Sequence, residues 1–183
     1  MNWLELAKLA ASLVTPLVVV LLGFQVNKRL KSIDEAQWQG RKLIEKRIAL
    51  YDQIAPDLNK MYCFCRWVGY WKEISPRDMI TAKRDLDKLV NIYRALLTED
   101  FYRAYNDFIH VIYRPYAGRN HDARIRSEIS NQMGDRRSAL TQGWDPAYDA
   151  LFDTTEVADF VVLERAYARV MQSLQRSIGL DLG

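Results

Sequence analysis

The sequence predicts an all-α protein: a single N-terminal transmembrane helix that continues into a cytosolic up-and-down helical bundle. Three observations predict it. Between Lys8 and Lys28 no residue is charged. Beyond that run, apolar residues recur at spacings of three and four, the helical period, and no segment alternates steadily at period two, so no sheet is expected. Glycine and proline number only 8 and 5 in 183 residues, fewer than the turns of an all-β domain would need.

Residues 1–27 read as the membrane anchor. The stretch from Leu9 to Asn27 includes Leu17-Val18-Val19-Val20-Leu21-Leu22-Gly23-Phe24. As a helix at ~1.5 Å per residue it covers about 28 Å, close to the hydrocarbon thickness of a bilayer. Pro16 would break a soluble helix but is tolerated in a membrane helix, and Trp3 suits the outer interface. A cleaved signal peptide would place its positive charges before the run and small residues after it. Here Glu5 and Lys8 offset one another before it, and Gln25-Val26-Asn27 and then Lys28, Arg29 and Lys31 follow. Positive residues flanking a span stay in the cytoplasm. The N-terminus is therefore expected outside and residues 28–183 in the cytoplasm; for a bacterial source, with which the sequence is compatible, the membrane is the bacterial inner membrane.

Residues 28–74 are expected to form a stalk and the first bundle helix. Leu30, Ile33, Gln37, Gly40, Ile44, Ile48, Tyr51, Ala55, Leu58, Tyr62, Cys65 and Gly69 trace a helical or coiled-coil stripe, weakened at Gln37 and Gly40. Pro56 is a candidate kink. Ser75-Pro76-Arg77-Asp78 reads as a helix start, with an N-cap, a first-position proline and an acid at the positive end of the dipole. It opens a helix over 76–97. Thr98-Glu99-Asp100 repeats the logic for a helix over 99–114, ending before Pro115. Residues 116–145 are irregular, punctuated by Gly118, Gly134 and Gly143, with short helices expected at 122–133 and 136–142. Thr154-Thr155-Glu156 reads as the start of a helix over 155–178, with Gly179 as its C-terminal cap.

Composition narrows the function classes. The chain is 49% hydrophobic and 27% charged, which suits a folded domain over a disordered tail. A net charge of +3 is too balanced to argue for nucleic acid by itself. Cys63 and Cys65 stand two apart, which is neither redox nor zinc spacing, and read as reduced buried thiols. His110 lies in an apolar run and reads as a core or boundary residue. No zinc-protease, nucleophile-elbow or phosphate-loop motif occurs. The sequence therefore gives no reason to expect an enzyme, a metal or a cofactor.

Three surfaces are candidates for binding. Lys28, Arg29 and Lys31 lie close enough to the span to meet anionic lipid headgroups, at about 1 kcal/mol per charge. Arg124, Arg126, Arg136 and Arg137 sit with Arg114 and Arg119 in the irregular region. Arginine's planar fork suits phosphate, which leaves a nucleotide, nucleic acid or phosphorylated ligand among the candidate partners; Asp122, Glu128 and Asp135 nearby offer ordinary ion pairs instead. The run from Met61 to Trp71 holds one charge in eleven residues. Its Trp67, Tyr70 and Trp71 are either the centre of the bundle or anchors of a homo-oligomer.

Two function classes follow. One is a membrane effector whose cytosolic domain self-associates or senses a protein partner. Toxin-like and anti-phage effectors share that plan, an analogy of architecture alone. The other is a non-enzymatic tethered adaptor or inhibitor that holds a soluble partner at the membrane.

Overall fold

The structure is a computed structural model. It describes residues 3–115 and 122–179, with the backbone alone at residues 3–19, 21, 32 and 36. The chain divides into two compact units, residues 1–45 and 46–183. The first helix, α1 (Trp3–Arg66), supplies the described part of the first unit and continues into the second.

In the first unit α1 exposes apolar side chains around its circumference, among them Val20, Leu22, Phe24, Val26, Leu30 and Ile33. Among the described residues no helix is long and apolar enough to cross a membrane. The side chains of Leu9 to Val19, which carry most of the uncharged run, lie outside the described residues, as do those of Trp3 and Pro16.

The second unit is mostly helical: the end of α1, α2 (Pro76–Ile92), α3 (Glu99–Ile112), the one-turn α4 (Arg136–Ala139) and α5 (Phe160–Ser177). The caps of α2 and α3 form where the sequence places them. Ser75 Oγ accepts from Asp78 N at 3.1 Å, and the Asp78 carboxylate accepts from Ser75 N at 2.9 Å. Thr98 accepts from Phe101 N. The core gathers Ile54, Leu58 and Met61 of α1, Met79, Leu86 and Val90 of α2, Phe101, Phe108 and Ile112 of α3, and Leu163, Val170 and Leu174 of α5. Helices α3 and α5 pack along their lengths. Asp107–Arg169 and Asp100–Arg176 ion pairs and a 2.7 Å Thr98–Ser177 hydroxyl bond link them at the surface.

Several expectations are corrected. Pro56 lies inside α1 without ending it. The helix expected over 76–97 stops at Ile92 and finishes as a 3-10 turn, Arg94–Leu96. No helix forms over 122–133. That stretch instead holds β2 (Arg124–Ile125), antiparallel to β1 (Tyr113–Arg114), and β3 (Ser130–Asn131), which forms a tight hairpin with β4 (Gly134–Asp135). Each strand is two residues long, too short to show alternation in sequence. The last helix begins at Phe160 rather than 155: Asp159 accepts from Val161 N and Val162 N, so it holds the cap. The residues before it are committed elsewhere. Asp153 N bonds Ile125 O, Ala158 N bonds Arg126 O, and Thr155 Oγ1 donates to Asp153 at 2.6 Å.

Candidate functional site

The end of α1 is where the aromatic run and the arginine group meet. The helix stops at Arg66 because Trp67 turns left-handed, at φ 61°. Val68 N then reaches back to Cys63 O and Trp67 N to Phe64 O, the paired bonds of a Schellman cap. Glycine usually fills that position, since a bulky side chain there is strained. The strain is held by packing. The Trp67 ring lies edge-on to Trp71 at 4.8 Å, and the guanidinium of Arg136 sits 3.6 Å from its centroid.

Arg136 is delivered there by the β3–β4 hairpin and by α4, whose N-cap is Asp135. Its guanidinium also lies over Phe64 at 3.9 Å. Nη2 donates to Phe64 O at 2.8 Å and Ser127 Oγ at 3.0 Å, and Nε to Glu128 O at 2.9 Å. A cation thus sits on the last carbonyls of α1, where the helix dipole is negative. Arg136 is 2% exposed. Burial pushes its pKa down to about 10, opposed by the Cys65 thiol and Glu128. The same burial pushes the Cys65 thiol up to about 12, with the charge of Arg136 acting against it.

This geometry corrects two expectations. Arg136 is not available to a phosphate; it ties the aromatic run to the rest of the unit. Trp67 and Trp71 are 4% and 8% exposed, so one chain already covers them, and only Tyr70 of the proposed association trio reaches the surface. The physical reason is the same for both: a helix end apolar on every side needs cover, and the hairpin supplies it together with a capping cation.

The remaining arginines do not converge. Arg124 is exposed on β2. Arg137 is exposed and pairs with Asp149 at 2.8 Å, which holds that carboxyl below its usual range. Arg114 pairs with Asp153, whose carboxyl is held low chiefly by the Thr155 hydroxyl. Arg119 and His121 lie outside the described residues. Arg126 is half-buried, donating to His110 O at 3.1 Å and pairing with Glu156 at 2.9 Å. In the first unit, Lys28, Arg29 and Lys31 are exposed within about one turn of α1.

Arg126 leads to a feature the sequence reading missed. A groove of about 630 Å³ opens beside α3 and the start of α5, lined by Asp107, His110, Arg126, Glu156, Val157 and Val162, among others. His110 is exposed, correcting its expected core or boundary position, and donates from Nδ1 to Asn106 O at 2.7 Å. Phe160 and Val161 extend the apolar surface beyond the groove. Valines flanked by ion-paired groups make a surface suited to a partner's side chains. Among the described residues no His, Cys, Asp and Glu side chains are grouped to hold a metal ion.

No family model, curated protein or solved structure matches the chain. The functional reading therefore rests on the residues themselves.

Proposed function

We propose that the chain is a single-pass membrane effector of the bacterial inner membrane. Its N-terminus lies outside, and its helical domain, in the cytoplasm, self-associates or senses a partner and acts at the membrane. The observation that carries this reading is the run from Leu9 to Asn27, uncharged and flanked on its C-terminal side by Lys28, Arg29 and Lys31. The exposed side chains add to it. Val20 and Phe24 are 70% and 72% exposed, and Leu22 and Val26 are exposed on other sides of the same helix. Apolar groups on opposite sides of an uncovered helix raise the free energy in water and lower it in lipid.

The groove beside α3 and α5 favours a second reading, in which the domain is a tethered adaptor or inhibitor that seats a soluble partner on Val157 and Val162. Membrane potential separates the two. Overproduction of an effector depolarises cells, read by a potential-sensitive dye. Unchanged potential, with partner recruitment lost in a Val157→Asp, Val162→Asp variant, supports the adaptor and overturns the effector.

A further inference from the structure

We infer that the face of α1 between Leu30 and Ile44 pairs with the same face of a second copy as a parallel, in-register coiled coil. The inference rests on the anchored, self-associating reading, because anchoring presents both copies in one orientation. It moves the association surface from Trp67 and Trp71, which the chain buries itself, to the first unit.

A single heptad frame runs through α1. With Leu30 at position a, the a and d positions are Leu30, Ile33, Gln37, Gly40, Ile44, Arg47, Tyr51, Ile54, Leu58, Met61 and Cys65. From Ile54 to Cys65 these residues are buried in the core of the second unit. In the first unit the same frame is uncovered, with Leu30, Ile33 and Ile44 at 53%, 51% and 50% exposure.

Two seam residues indicate what covers it. A glycine inside a helix costs roughly 1 kcal/mol relative to alanine. Gly40 has no positive φ, and nothing described in the chain comes within 4 Å of where its Cβ would sit. A facing backbone approaching at this d position gives the missing side chain a use. Gln37 occupies an a position, where a polar residue fixes register and partner number at some cost in stability. Its amide both donates and accepts, so two copies satisfy each other when the glutamines face, as they do in register. Asp34 at e and Arg29 at g are opposite in charge and face one another across a parallel pair. Three a/d pairs and a glutamine are few for a free coiled coil, and confinement to a plane raises the effective concentration that makes them sufficient.

Cysteine cross-linking of the full chain in native membranes tests this. Cys63 and Cys65 are buried, which keeps the background low. Leu30→Cys, Ile33→Cys and Ile44→Cys are each oxidised separately, against Glu35→Cys and Lys42→Cys on the outer face. The seam variants are expected to form same-position dimers roughly tenfold faster than the outer-face variants. Equal rates on both faces, or no dimer at the seam, would overturn the inference. So would dimers that form only when Leu30→Cys is mixed with Ile44→Cys, the antiparallel result. Alkaline extraction of the same membranes keeps the two readings apart. A chain that resists extraction but does not cross-link refutes the seam alone. A chain that is extracted yet cross-links at the seam refutes the anchor alone.

Discussion

Replacing Arg136 with alanine removes the contact that holds the end of α1 to the hairpin. The guanidinium makes three hydrogen bonds, and its Nη1 is buried without a hydrogen-bond partner among the described residues. Charge-assisted bonds contribute about 1.5–3 kcal/mol each, and stacking on Trp67 and Phe64 roughly 0.5–2 kcal/mol apiece. Against them stands the desolvation of a buried cation, several kcal/mol. Phe64 O keeps its bond from Trp67 N after the truncation, whereas Glu128 O and Ser127 lose the guanidinium and a void opens between two rings. The balance favours a net loss of about 3–4 kcal/mol. For a domain of this size that lowers Tm by roughly 10 °C. Arg136→Met fills most of the void and removes the desolvation cost, so a smaller loss of about 1–2 kcal/mol is expected. The assay is thermal unfolding of the detergent-solubilised chain, followed by near-ultraviolet circular dichroism from Trp67 and Trp71. An alanine variant within about 1 kcal/mol of the parent, or a methionine variant more stable than it, would refute the reasoning.

Other expectations follow from the same structure. The Cys65 thiol, pushed up to about 12, and the buried phenols of Tyr105 and Tyr113, also pushed up, hold protons in the folded chain that they release on unfolding at high pH. Their contribution is complete below the unfolded thiol value of 9.0 and is lost as pH rises toward 12, so Tm should fall across that window; a flat profile contradicts the burial. Iodoacetamide at pH 8 should leave both cysteines unmodified in the folded chain and modify them once it unfolds; labelling at the native rate of a free thiol would show the end of α1 to be open. Trp67→Gly relieves the left-handed strain but removes the ring over Arg136, and the lost stacking should win by about 1–2 kcal/mol in urea unfolding; a stabilised variant would show that strain dominates. Gly40→Ala should raise the helicity of α1 while slowing cross-linking at Ile33→Cys and Ile44→Cys, whereas faster cross-linking would mean that no close backbone approach occurs there.

The parts of the fold legible in the sequence are those written in local chemistry. Ser75 with Asp78 and Thr98 before Phe101 are short-range signals, and α2 and α3 start where those signals put them. The end of α1 was illegible because tryptophan occupies the left-handed position that glycine would mark. The start of α5 was misread because Thr154-Thr155-Glu156 imitates a cap while Thr155 spends its hydroxyl on Asp153. Arg136 in the run Gly134-Asp135-Arg136-Arg137 reads as surface charge, and its burial depends on Phe64, far away in sequence. The groove at Arg126 and Val157 had no local signal, since its residues come from three separated segments.

Membrane insertion is the claim on which the proposed function depends, and alkaline carbonate extraction combined with a C-terminal reporter measures it most directly. Fused after Gly183, green fluorescent protein should fluoresce and alkaline phosphatase should stay inactive, while the chain remains in the membrane pellet after extraction. Release into the supernatant would contradict the anchor, and active phosphatase from a chain that stays in the pellet would contradict its orientation.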